Sequence, residues 1–174
     1  MAGLIHCYTG DGKGKTTAAA GLALRAAGRG MRVLFAQFLK DGSSGEIAAL
    51  KSLPLVTCVP CPKHSGFFRS MTEEERKETR RVSSAYFEEV AGRAVKEGCD
   101  LLVLDEFMAA YTLGILDREQ ALSFLRKKPA ELEVVLTGRD VPEEVAALCD
   151  YITECRKVKH PFDRGITARK GIEY

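Results

Sequence analysis

The chain has almost no excess of either charge: 26 lysines and arginines stand against 24 acidic side chains, a formal +2 over 174 residues. A protein that holds nucleic acid along its surface carries a basic surplus, so a general polyanion binder is excluded. No stretch of about 18 apolar residues is present to span a bilayer, and residues 1–8 lack the charged and apolar regions of a secretion signal. The expectation is a cytoplasmic protein with no membrane partner. Nor does a second cysteine pair of suitable spacing follow Cys58-Val-Pro-Cys61, and no helix obviously starts at the first of these cysteines. The six cysteines therefore read as ordinary thiols in a chain that folds without staples. A metal site using His64 is the weaker alternative. Chains of about this length bury roughly 70% of their unfolded surface, enough for one domain and too little for a second.

What is present begins with Thr9-Gly-Asp-Gly-Lys-Gly-Lys-Thr-Thr17. An apolar run, Leu4 to Tyr8, precedes it and the small-residue run Ala18 to Leu24 follows, so it reads as strand, glycine-rich turn and helix start. A phosphate-binding loop requires that context. Glycines let the backbone curl until successive N–H groups face an anion, and the helix N-terminus adds about half a positive charge. Lys15 would meet the outer phosphates and Thr16 would offer its hydroxyl to magnesium. One irregularity stands out: the usual pattern puts its first glycine at position 9, where this chain has Thr9, and the glycine follows at Gly10.

Strands alternate with helices along the rest of the chain. The loop helix runs from Thr16 to about Ala27 and closes at Gly28-Arg29-Gly30. Arg32 to Phe38 is an apolar run suited to a parallel sheet. A short helix over Glu46 to Ser52 and a strand over Leu55 to Val59 follow. Pro60 to Ser70 has no periodicity and is a functional-loop candidate. Thr72 and Glu75 form a capping box for the longest helix, whose stripe is Val82, Tyr86, Phe87, Val90 and Ala94. The run Glu73 to Glu78 is a solvated first turn. Leu101 to Leu104 is a strand ending in Asp105-Glu106. Asp117 caps a helix that Pro129 stops, Leu132 to Thr137 is a further strand, Pro142 opens a helix, and Tyr151 to Cys155 is the last strand. The expectation is one α/β domain over 1–174, phosphate-loop NTPase-like and RecA-like, with a mostly parallel sheet and helices on both faces.

Three strand ends then converge on the carboxyl edge of the sheet. The first carries the loop. At the second, Asp105 would hold magnesium directly or through water while Glu106 aligns the reacting group. Thr137-Gly-Arg139 closes the third, where Arg139 can neutralise triphosphate charge, the alternative being a surface salt bridge. Arg25, about ten residues into the loop helix, reads as structural.

These segments, with Gln37-Phe-x-Lys40, Val103-Leu-Asp-Glu106 and the tail Val158-Lys-His-Pro-Phe-Asp163, Gly165, Gly171-Ile172 and Tyr174, resemble the ATP:corrinoid adenosyltransferases of the cobalamin pathway. The likeness covers the chain from its first strand to its last residue. It implies that a cobalt(I) corrinoid, cobalamin or cobyrinic acid a,c-diamide, attacks the 5′ carbon of ATP and expels triphosphate, with the nucleotide reversed in the loop. It also implies magnesium, a flavin-type electron donor and a homodimer. Cobalt(I) needs no general base, so the protein must position the 5′ carbon and stabilise the departing triphosphate. Thr9, Gly10, Asp11, Gly12, Lys13, Gly14, Lys15, Thr16 and Thr17 would bind the nucleotide, Lys15, Asp105, Glu106 and Arg139 would serve the chemistry, and Thr16, Asp105 and Glu106 would hold the metal.

Gly66-Phe-Phe-Arg69 aligns with the family's Gly-Phe-x-Trp segment, which keeps the lower axial ligand off cobalt. Phe67 and Phe68 are thus corrinoid-contact candidates, with Arg69 in place of tryptophan, a residue the chain lacks altogether. The early start departs from members whose N-terminal helix covers the corrinoid. Two other readings use the same loop: a conventional ATPase or phosphotransferase, and a nucleotide-binding protein that delivers or senses adenosylated corrinoid.

Overall fold

Apolar runs without polar interruption make stable strands only where both faces of the sheet are covered. Three runs do so here, β2 (Val33–Gln37), β4 (Leu101–Asp105) and β5 (Glu133–Thr137), each buried along almost its whole length. The structure is a computed structural model that describes residues 2–40, 42–62 and 71–173. Its sheet has six strands, all parallel, in the order β3 (Val56–Pro60), β2, β4, β5, β1 (Ile5–Thr9) and β6 (Tyr151–Glu154). The loop strand β1 and the carboxylate strand β4 are therefore separated by β5.

Alternate strand residues point to opposite faces, and the core divides accordingly. Leu34, Ala36, Leu102, Leu104, Val134 and Leu136 pack with α3 (Glu73–Lys96), α4 (Phe107–Thr112), α5 (Arg118–Lys127) and α6 (Glu143–Ala146). Val33, Phe35, Leu101, Val103 and Val135 pack with α1 (Lys15–Ala27) and α2 (Gly45–Lys51). Each fully buried large side chain contributes about 1.5–3 kcal/mol, so both layers are needed to hold the strand ends in place. The expected α/β sheet with helices on both faces is what forms.

The alternation also decides the cysteine pair. Cys61 lies in the α3 layer and Cys58 packs against the α1 layer, so their side chains face opposite sides of the sheet. Neither forms a disulfide. His64 lies outside the described residues, as do Phe67, Phe68 and Arg69.

Helix ends follow local chemistry where it is present. Thr72 accepts from the Glu75 amide while Glu75 reaches back to the Thr72 amide, a complete capping box worth about 1 kcal/mol. Asp117 accepts from the Gln120 amide at the start of α5. Helix α4 has no counterpart in the sequence reading. Its segment Phe107-Met-Ala-Ala-Tyr111 is buried at every position but one, so it shows no amphipathic period, and its N-cap Glu106 makes no side-chain cap bond. A short 3-10 helix, Pro161–Arg164, also forms in the tail.

Candidate active site

The phosphate loop owes its shape to two glycines in the left-handed region, Gly10 at φ 102° and Gly14 at φ 116°. Gly14 is the N-cap of α1 and no side chain caps that helix, which leaves its first amides facing the cavity. Gly12 is required by a close approach. Its N–H donates to the Cys155 carbonyl at 2.6 Å, and a Cβ there would stand 2.5 Å from that oxygen. The exit of β6 thus braces the loop tip. Asp11 accepts from the Lys157 amide at 2.9 Å, a bond that holds its carboxyl below the usual carboxylate range. Lys15 turns inward and donates to the carbonyls of Gly10 and Gly12, each at 2.7 Å. Its ammonium is held in the loop and oriented by it.

Asp105 is fully buried at the end of β4. Its Oδ1 accepts from Thr16 at 2.9 Å and Thr137 at 2.7 Å, and its Oδ2 accepts from Lys40 at 2.7 Å and Gln37 at 3.1 Å. Four donors from four segments therefore meet on one carboxylate, an arrangement that compensates its desolvation. Thr137 also accepts from the Glu106 amide at 2.9 Å, which fixes Glu106 in a left-handed conformation, φ 58°. Burial pushes the Glu106 carboxyl above its ordinary range, opposed by the nearby Lys40 ammonium.

Backbone strain marks the same place. Among the described residues, the non-glycine residues with positive φ are Leu39, Glu106 and Asp140, which follow β2, β4 and β5. Such conformations cost about 1–3 kcal/mol each and persist where the surroundings enforce them. Gly138 has φ 144°, and a Cβ there would lie 2.5 Å from the Met108 Cβ, so the β5 exit can pass α4 only as glycine.

These ends surround a cavity of about 580 Å³, lined by the loop from Asp11 to Thr17, by Lys40, Glu106 and Arg139, by Ala109 and Thr112 of α4 and Leu113 just after it, and by Ile172 and Glu173 of the tail. Arg139 is exposed at its rim. Arg25 is exposed in the last turn of α1, away from the loop. Glu173 reaches Lys13 at 3.4 Å, and its carboxyl is drawn down to about 2 mainly by hydrogen bonds from Arg169. The structure therefore brings Lys13, Lys15, Thr16, Glu106 and Arg139 to one cavity, with Asp105 buried behind Thr16. The roles of Gln37, Lys40 and Thr137 were not assigned from the sequence. The first two had a visible signal, since polar residues close an apolar strand at Gln37-Phe-x-Lys40.

The fold and the loop define a phosphate-loop NTPase-like α/β protein. A family model described as ATP:corrinoid adenosyltransferase BtuR/CobO/CobP matches residues 1–174. The chain belongs to that family and is an enzyme of the adenosyltransferase class. It is 34% identical over 99% of its length to the corrinoid adenosyltransferase CobA of Salmonella typhimurium, of which it covers 86%. It is 32% identical to the corrinoid adenosyltransferase of Pseudomonas aeruginosa, over 99% of this chain and 84% of that one, and 32% identical to that of Escherichia coli K12, over 99% and 86%. Among solved structures, ATPases 2 and 3 of EssC from Geobacillus thermodenitrificans align with 98% of this chain and 36% of theirs, at TM-score 0.49 and 13% identity. No helix among the described residues is long and apolar enough to cross a membrane.

Proposed function

We propose that this chain, as a single domain over residues 1–174, transfers the 5′-deoxyadenosyl group of ATP to a cobalt(I) corrinoid and releases triphosphate. The observation that carries the reading is the two-sided cavity. Its floor offers cations and amides from Lys13, Lys15 and the α1 N-terminus, while Ala109, Leu113 and Ile172 supply an apolar wall. An anionic tail beside an apolar group is the shape of an adenosyl donor.

In the step itself the cobalt(I) electron pair forms a bond to C5′, the C5′–O bond breaks, and its electrons stay on the triphosphate oxygen. No proton moves, so the protein acts by alignment and charge. Lys15 donates to the departing phosphates, the loop amides donate to the oxygens on which charge develops, and Arg139 closes over it from the rim.

The residues fit a magnesium ion. Thr16, Asp105 and Glu106 supply hard oxygen donors, a cation already stands among them as the Lys40 ammonium, and the buried Gln37 Oε1 beside Asp105 has no partner. When bound, magnesium neutralises triphosphate charge. Phe67 is proposed beneath the corrin ring, where it keeps the lower ligand off cobalt, and Phe68 is a further corrinoid-contact candidate. A flavin-type reductant, a homodimer and a cytoplasmic setting complete the proposal, with cobalamin or cobyrinic acid a,c-diamide as substrate.

One observation favours a second reading. Glu106, half-buried with a raised carboxyl beside Asp105, is suited to act as a general base on water or a hydroxyl in conventional phosphoryl transfer. The products separate the two. Phosphorus NMR after a single turnover with reduced corrinoid is expected to show triphosphate in step with adenosylcorrinoid. ADP or orthophosphate formed at the same rate would establish the second reading instead.

A further inference from the structure

The ammonium of Lys40 stands 2.7 Å from Asp105 Oδ2, 3.4 Å from Thr16 Oγ1 and 3.9 Å from Glu106 Oε1. These are the side chains assigned above to the metal. A divalent ion bound to Asp105 at the roughly 2.0–2.1 Å of a magnesium–oxygen bond competes with this ammonium, because two cations against one carboxylate repel each other. The lysine is held there by the backbone. Leu39, whose side chain packs against the core, takes the left-handed conformation, φ 57°, and so turns the chain back over the strand ends. There is room to leave as well, because Lys40 lines both the main cavity and a neighbouring one of about 490 Å³ that shares Thr16, Thr17, Ile172 and Glu173 with it.

We propose that Lys40 is a tethered stand-in for the divalent cation. In the nucleotide-free chain it neutralises the buried Asp105 and keeps Thr16, Asp105 and Glu106 assembled. When metal and nucleotide enter, it gives up Asp105 and turns to the phosphates, so it is a positioning residue for both. The inference rests on the reading that Thr16, Asp105 and Glu106 hold the metal.

Manganese(II) binding to the nucleotide-free full chain, followed by loss of its free electron paramagnetic resonance signal, reads the competition directly. Removing a competitor raises apparent affinity by the reciprocal of the fraction of time it left the site free. Lys40→Met is therefore expected to bind manganese on the order of tenfold more tightly than wild type, to melt lower without metal, and to regain most of that loss at saturating manganese. Lys40→Arg, which keeps the charge, should return affinity toward wild type. Lys13→Met removes a charge from the same cavity without touching Asp105 and should change manganese affinity much less.

Manganese affinity in Lys40→Met no higher than in Lys13→Met, with melting lowered equally with and without metal, would overturn the inference and leave the metal site standing. Equal manganese binding by wild type and Asp105→Asn would overturn the metal site and the inference together.

Discussion

Lys15→Ala is expected to lower adenosyl transfer by on the order of 10²- to 10³-fold, the usual loss when one preorganised donor to a developing charge is removed. Lys15 is oriented before any nucleotide arrives, since its ammonium bridges the carbonyls of Gly10 and Gly12 across the loop. Truncation removes the charge offered to the phosphates and also the tie that keeps the loop curled. The stability loss should stay near 1 kcal/mol, because two loop carbonyls that lose their donor can turn to water. Turnover measured beside a thermal melt checks both parts. Near-normal turnover with an unchanged melt would remove the loop from the mechanism.

Asp105→Asn is expected to act on fold and metal together. The carboxylate accepts from Thr16, Thr137, Gln37 and Lys40 and has no exposed surface. An amide must point its NH₂ at one of these donor pairs, which leaves buried donors facing each other, and in either orientation Lys40 loses its opposite charge. The combined cost is about 3 kcal/mol, toward the lower end for a broken buried pair because the lysine can swing to water. An amide is also a poorer ligand for a hard cation, so the magnesium needed for half-maximal activity should rise by roughly the 10- to 100-fold that even second-layer changes cause in metal sites. A melting curve and a magnesium titration measure the two effects separately. If the titration is unchanged, this carboxylate is structural and the metal lies elsewhere.

Much of this arrangement is legible in the sequence, and the reason is burial. Because β2, β4 and β5 are covered on both faces, their apolar runs are unbroken, and Gln37 and Asp105 stand out where the first two of those runs stop. The loop is legible because its glycines answer a backbone requirement that Gly10 and Gly14 visibly meet. What could not be read depends on distance along the chain. Thr16 and Asp105 are 89 residues apart and Lys40 and Asp105 are 65 apart, and no local pattern encodes that meeting. Strand order is equally hidden, as is the insertion of β5 between the loop strand and the carboxylate strand. Helix α4 escaped because a six-residue helix buried over most of its length has no period to detect. The inward turn of Lys15 follows from carbonyl positions that only the folded loop defines.

The central claim is that this chain forms a cobalt–carbon bond. The most direct test supplies the full chain with ATP, magnesium and cobalamin reduced chemically to cobalt(I), which removes the need for a reductase, and follows the absorbance spectrum of the corrinoid. Conversion to the adenosylcobalamin spectrum is expected, dependent on ATP and abolished or slowed on the order of 10²- to 10³-fold by Lys15→Ala. A spectrum that stays that of the unalkylated corrinoid while ATP is turned over to ADP would contradict the account.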